Sequence, residues 1–133
     1  MAIKYRIYED IKLVYTKSDG ALRGEDLMKH MEELANDPGY IPPMKKIVDY
    51  SDLEKYDVTT KDSREFSLKK QSLADRFINE QCAYVVPSDL VYGMARHHQA
   101  FLDEEKLKTQ IFRNIDEAKQ WLEIDLDYEL SIV

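Results

Sequence analysis

Cysteine is almost absent from this chain. Cys82 stands alone, so no disulfide can form within it. That residue sits in the apolar run Cys82-Ala83-Tyr84-Val85-Val86, where a thiol is usually buried and inert rather than nucleophilic. Long apolar runs are missing as well. No stretch approaches the roughly 20 apolar residues of a membrane span. The start, Met1-Ala2-Ile3-Lys4-Tyr5-Arg6, has no signal-peptide apolar region. No Asn-x-Ser/Thr acceptor occurs. Positive charge is the scarcer sign: 19 Lys and Arg stand against 26 Asp and Glu, a net charge of −7. Nucleic acid and anionic membrane surfaces are poor partners for such a chain, although acidity also serves plain solubility. No repeat, low-complexity tract or domain linker interrupts the sequence. No catalytic or metal motif stands out, and no cofactor is implied. A soluble cytoplasmic protein is expected, with one domain over residues 1–123 and an extension over 124–133.

What is present is a rhythm of short apolar runs that break into helix-starting signals. Ile3, Tyr5 and Ile7 alternate with Lys4, Arg6 and Tyr8. Ile11, Leu13 and Tyr15 alternate with Lys12, Val14 and Thr16. Both read as half-buried strands joined by a tight link at Glu9-Asp10, with Ser18-Asp19-Gly20 turning the chain after them. Gly24 starts a helix whose Leu27, Met31, Leu34 and Ala35 form one apolar stripe, and Asn36-Asp37-Pro38-Gly39 stops it. Ile47-Val48-Asp49-Tyr50 leads to a second helix near Thr59 or Thr60, with Asp62 completing a capping box. Phe66, Leu73, Phe77 and Ile78 are its apolar side. Cys82 to Val86 leads to a third helix capped by Ser88, with Val91, Met94, Ala95, His98, Phe101 and Leu102 facing inward. Ile111-Phe112-Arg113 leads to a fourth, capped by Asn114, with Ile115, Ala118, Trp121 and Leu122 inward. Strand followed by capped helix, repeated, predicts parallel βα units. The expected fold is α/β: a mixed sheet with an antiparallel first strand and four βα units, its helices packed on the sheet.

In open α/β sheets ligands bind beyond the C-terminal strand ends. That rim holds Asp49, Tyr50 and Ser51, and then Pro87 to Tyr92. Tyr50, Tyr56 and Tyr92 map there, and aromatic walls with hydroxyl tips suit a small ligand or peptide. Arg96 joins them as a candidate binding residue. Asp49 could serve as a general base or simply bond the following loop. Thr59 and Thr60 sit at a helix start, which can hold an anion or favour a phosphate on its cap; capping alone is the plainer role. His97 and His98 are adjacent, about 100° apart on a helix, and so are poorly placed to share a metal. His98 is expected in the core.

The junctions Ile47-Val48-Asp49-Tyr50-Ser51, Asp57-Val58-Thr59-Thr60, Ser88 to Arg96 and Phe112 to Leu122 resemble the SpoIIAA-like family. This group contains the anti-sigma-factor antagonist (STAS) domains and small bacterial proteins of unknown role. The resemblance spans about residues 3 to 123. It implies a non-enzymatic regulatory or protein-interaction module. In the antagonists an Asp ends the third strand, and an Asp-Ser pair opens the next helix, its Ser phosphorylated by a partner kinase. Asp49 and Asp57 match the two Asp positions. The Ser position falls on Val58, the Gly that follows it is absent, and Thr59 is the next hydroxyl, so Thr59 and Thr60 are the candidate phospho-switch. The alternative reading is a small-molecule or lipid-headgroup binding protein using the tyrosine-lined rim.

Ile124, Leu126, Tyr128, Leu130 and Ile132 alternate with Asp125, Asp127, Glu129 and Ser131. Period two predicts a strand with one apolar face. A lone strand must pair with a sheet edge, within the chain or across a two-fold axis. A homodimer using this segment is the expectation.

Overall fold

A computed structural model describes residues 3–86, 89 and 108–132. The third helix, including the expected Ser88 cap and the core position of His98, lies outside these residues, as do Tyr92 and Arg96. The described elements are β1 (Ile3–Tyr8), a 3-10 turn (Glu9–Ile11), β2 (Leu13–Arg23), α1 (Gly24–Ala35), β3 (Lys45–Asp57), α2 (Thr60–Ser72), β4 (Gln81–Val85), β5 (Lys108–Phe112) and α3 (Ile115–Trp121). The five strands form one sheet in the order β1-β2-β3-β4-β5. Only β1 runs antiparallel, pairing Ile3 with Ser18 and Tyr8 with Leu13. The later pairs are parallel. The expected mixed sheet is therefore present.

Two layers of apolar side chains follow from the pleat. One face carries Val14, Leu22, Val48, Tyr50, Cys82 and Tyr84, covered by Leu27, Met31 and Leu34 of α1 and Phe66 of α2. The other carries Tyr8, Leu13, Tyr15, Ile47, Ala83 and Val85, covered by Ala118, Leu122 and Ile124. The α1 stripe is the one its spacing predicts. Ile78 departs from expectation: it is 49% exposed, because α2 ends at Ser72 and in the turns that follow it is Phe77, not Ile78, that points inward.

Two strand lengths differ from the sequence reading. Ser18-Asp19-Gly20 does not turn the chain; it lies inside β2. The pairing with β3 absorbs it through register shifts between Lys17 and Asp19 and between Gly20 and Ala21, with Gly20 at φ 63°, a value that glycine adopts without a Cβ penalty. For the same reason Asp49 does not end its strand. β3 continues to Asp57, paired with β2 as far as Arg23 and Asp57. What ends at Asp49 is the partner on the other side, since its register mate Val85 is the last residue of β4. The β2–β3 ribbon thus rises past the sheet, and α1 and α2 start side by side from its tip.

Residues 124–132 form no strand. The alternation is nevertheless used. Ile124 is buried, and Tyr128, Leu130 and Ile132 pack on the second face of the chain's own sheet. Leu126 is 45% exposed. The cover that motivated a homodimer is supplied in cis.

Candidate functional site

Where β4 stops and β3 continues, one flank of β3 loses its neighbour and a cleft of about 380 Å³ opens. Tyr15, Asp49, Ser51, Val85, Arg113 and Asn114 line it, together with Lys119 and Leu130. Asp49 is only 6% exposed. Its Oδ2 accepts from the Tyr15 hydroxyl at 2.6 Å. Its Oδ1 accepts from the Ser51 backbone N–H at 2.9 Å and from Ser51 Oγ at 2.5 Å. Among the described residues no ammonium or guanidinium lies within ion-pair distance of it. Burial, reinforced by Asp49, raises the Tyr15 hydroxyl far above its ordinary value, so it stays a donor. Arg113 donates to the Val86 carbonyl at 3.4 Å and pairs with the Asp89 carboxylate. Asn114 is spent as a cap: its Oδ1 accepts from Glu117 N–H at 2.9 Å.

The tyrosines do not share this cleft. Neighbours in a strand point to opposite faces, so Asp49 and Ser51 face the cleft while Tyr50 and Tyr56 face α1 and α2. The two rings meet at 5.9 Å, and Tyr50 also meets Tyr84 at 5.8 Å, both edge to face. At 3% and 8% exposure they are core. The structure therefore brings together Asp49 and Ser51, and separately Tyr50 and Tyr56.

A second cluster marks the tip of the ribbon. Thr59 caps α2: its Oγ1 accepts from Asp62 N–H at 3.0 Å, and Asp62 Oδ2 accepts from Thr59 N–H at 3.0 Å. The capping box read from the sequence is formed. Thr59 and Thr60 are exposed. Asp62 fills the place where a side chain on Gly24 would sit, 2.3 Å from the ideal Cβ position, so Gly24 lets the two helix starts touch. Glu25, Glu32 and Glu65 line the groove between them with Lys29.

The sequence reading missed a third cluster, at the opposite end of the sheet. Glu80, 1% exposed, accepts from Lys70 Nζ at 2.6 Å and from the Tyr40 hydroxyl at 2.9 Å. Buried Lys46 Nζ hydrogen-bonds Nε2 of buried His30 at 3.0 Å. Burial opposes ionising Glu80, but Lys70 and Lys46 outweigh it and hold the carboxyl below its usual range. Burial, with Lys46 and Lys70, lowers His30 and keeps it neutral. A signal did exist: Ser63, Phe66, Ser67 and Lys70 are the buried residues of α2, at i, i+3, i+4 and i+7. Lys70 therefore lies on the buried stripe and needs an acid there.

Among the described residues no group of three or more His, Cys, Asp or Glu is placed to hold a metal. No described helix is long and apolar enough to cross a membrane.

A mixed sheet with one antiparallel edge and helices alternating after parallel strands defines a SpoIIAA-like fold. Solved structures carry the likeness. An uncharacterised protein of the DUF3478 family from Shewanella loihica PV-4, itself described as SpoIIAA-like, superposes with a TM-score of 0.59 at 20% identity, covering 91% of this chain and 92% of the other. The anti-sigma factor antagonist SpoIIAA, in its unphosphorylated form, superposes with a TM-score of 0.55 at 10% identity, covering 90% of this chain and 94% of the other. No family model matches the sequence, and no curated protein matches it. At these identities the likeness is one of fold.

Proposed function

We propose that this protein is a non-enzymatic regulatory module of the STAS type, which works by binding a protein partner at the end of the sheet where α1 and α2 begin. The observation that supports this most is a SpoIIAA-like fold over nine-tenths of the chain whose exposed Thr59 hydroxyl caps the helix that follows β3. Thr59 and Thr60 are the candidate switch, with Asp49 and Ser51 as partner-binding residues below them. A phosphate on Thr59 brings close to two negative charges to a helix start that Asp62 already occupies. It displaces that carboxylate, which is packed against Gly24. The phosphate signal is then a change at the α1–α2 contact.

The test has two arms. Incubation with cell extract and ATP, followed by mass spectrometry, is expected to place phosphate on Thr59 or Thr60. Thr59→Glu is expected to change which identified proteins the immobilised chain retains. An unmodified pair of threonines and an unchanged set of retained proteins would defeat the reading.

A small polar ligand in the Asp49 cleft is the second reading, favoured by Asp49, Ser51 and Arg113 around one volume of about 380 Å³. Thermal-shift screening with lipid headgroups and nucleotides checks it. A shift abolished by Asp49→Asn supports it, and no shift with any compound rejects it.

A further inference from the structure

The segment after α3 is seated on the second sheet face as a ligand is seated in a receptor. Its backbone is gripped by side chains of the body. Tyr8 Oη accepts from Ser131 N–H at 2.8 Å and donates to the Ser131 carbonyl at 2.9 Å. Lys119 Nζ donates to the carbonyls of Leu126 at 3.2 Å and Tyr128 at 2.7 Å. The segment's own backbone bonds are local, from Ile124 to Lys119 and from Tyr128 to Asp125. Backbone contacts of this kind accept many sequences. The side chains then set the preference. Ile124, Tyr128, Leu130 and Ile132 meet the apolar face, while Asp125, Asp127 and Glu129 alternate with them and no basic residue intervenes.

The receiving face also carries basic residues. Lys4 lies directly opposite Lys17, and Arg6 opposite Tyr15, across β1 and β2. Opposed residues of an antiparallel pair share a face. Tyr8 and Tyr15 stand on it too, and the Arg6 guanidinium lies 4.6 Å over the Tyr8 ring. Lys17 is paired with Asp52 at 3.0 Å, and of this row Arg6 shares the hollow beside Leu130 with Glu129 of the segment. The seat is also only partly filled. A hollow of about 490 Å³ runs along Arg6, Tyr8 and Glu129 on one side of Leu130, and the Asp49 cleft lies on the other. The joint is Glu123, at φ 58°, where α3 ends: its N–H and that of Ile124 return to the carbonyls of Gln120 and Lys119, so the segment leaves the helix through a fixed left-handed corner.

We propose that this face is a docking groove for an extended segment of a partner protein, with apolar residues at alternate positions and acidic residues between them, and that residues 124–132 are its resident competitor. A bound competitor in cis lowers the apparent affinity of any partner by the fraction of time it is lifted. The proposal stands apart from the Thr59 reading, since neither threonine touches this face.

The test uses the full chain and a labelled synthetic peptide of residues 123–132 as the probe. Tyr128→Ala with Leu130→Asp weakens the resident and leaves the groove intact. That variant is expected to bind the peptide saturably and at least tenfold more tightly than the unaltered chain, with affinity falling as salt rises. Adding Lys119→Met is expected to weaken binding again. If the double variant does not melt cooperatively, Ser131→Pro replaces it, removing the N–H that Tyr8 accepts. A cooperatively folded variant that fails to bind, or equal binding by the unaltered chain, overturns the proposal. So does a light-scattering mass of two chains that falls to one on Leu130→Asp, because a second copy would then be the occupant.

Discussion

Two carboxylates at opposite ends of this sheet are each held by a tyrosine hydroxyl, and they have opposite surroundings. Glu80 accepts from Tyr40 and Asp49 accepts from Tyr15. Glu80 also holds Lys70 at 2.6 Å, with Lys46 and His30 in the same buried network. Among the described residues, Asp49 has only hydroxyl and amide donors, and one wall of its surroundings is a cleft. Their positions explain the contrast. Glu80 precedes β4 and is sealed beneath α1 and α2. Asp49 sits where β4 gives out and β3 goes on. A buried carboxylate with its own cation completes a core, whereas one satisfied by neutral donors beside open space remains able to meet a new partner.

The largest effect expected is therefore at Glu80. Glu80→Gln leaves Lys70 buried without its counter-charge and should cost about 3–5 kcal/mol, read by urea denaturation. A loss below about 1 kcal/mol would mean that the network is not closed, and the contrast with Asp49 would fail.

Acid comes next. Both His30 and Glu80 have folded-state pKa values below their unfolded ones. The unfolded chain then binds more protons on the acid side, so stability rises with pH there. The stability that these groups contribute is complete above the unfolded values. It should fall as pH drops below about 6.5, where unfolded histidine titrates, and fall further through the carboxylate range near 4. Denaturation midpoints across that interval check the slope. A flat profile would show that neither group is held as described.

At the ribbon tip, Thr59→Ala removes the oxygen that caps α2 and should cost about 1 kcal/mol, with Thr59→Ser close to neutral. Equal losses for the two would place the effect in the methyl group rather than the cap. Smallest of all is the effect on Cys82. Burial pushes its thiol up to about 11, so a thiol reagent at pH 8 should modify it only as fast as the chain opens, and quickly in denaturant. Rapid labelling of the native chain would show that the α1–α2 side is looser than its packing implies.

Much of this was legible in the residues. Alternation in 3–8 and 13–16 marks the antiparallel edge, and Thr59 with Asp62 and Asn114 with Glu117 mark two helix starts. What misled was local turn chemistry. Ser18-Asp19-Gly20 reads as a turn, yet parallel pairing holds it in a strand, and only the long-range partner decides this. Asp49 and Tyr50 cannot share a face by strand geometry alone, so the tyrosine rim was separable from the sequence. Lys46, Lys70 and Glu80 were hidden because charged residues are usually solvated, although Lys70 does fall on the buried stripe of α2. The alternation after Glu123 announces an apolar face but not what covers it, because a sheet edge and a sheet surface demand the same pattern.

The most direct test is Asp49→Asn, which keeps the shape of the residue and removes the charge. Stability and partner retention should be measured on the same preparation. The variant keeps one acceptor oxygen and turns an amide N–H toward the other donor, so it should lose about 1.5–3 kcal/mol, less than Glu80→Gln. It should also retain at least fivefold less of whichever identified protein the unaltered chain captures. A folded variant that captures the same protein at the same abundance would contradict the assignment of this end of the sheet to binding. So would a stability loss as large as that of Glu80→Gln.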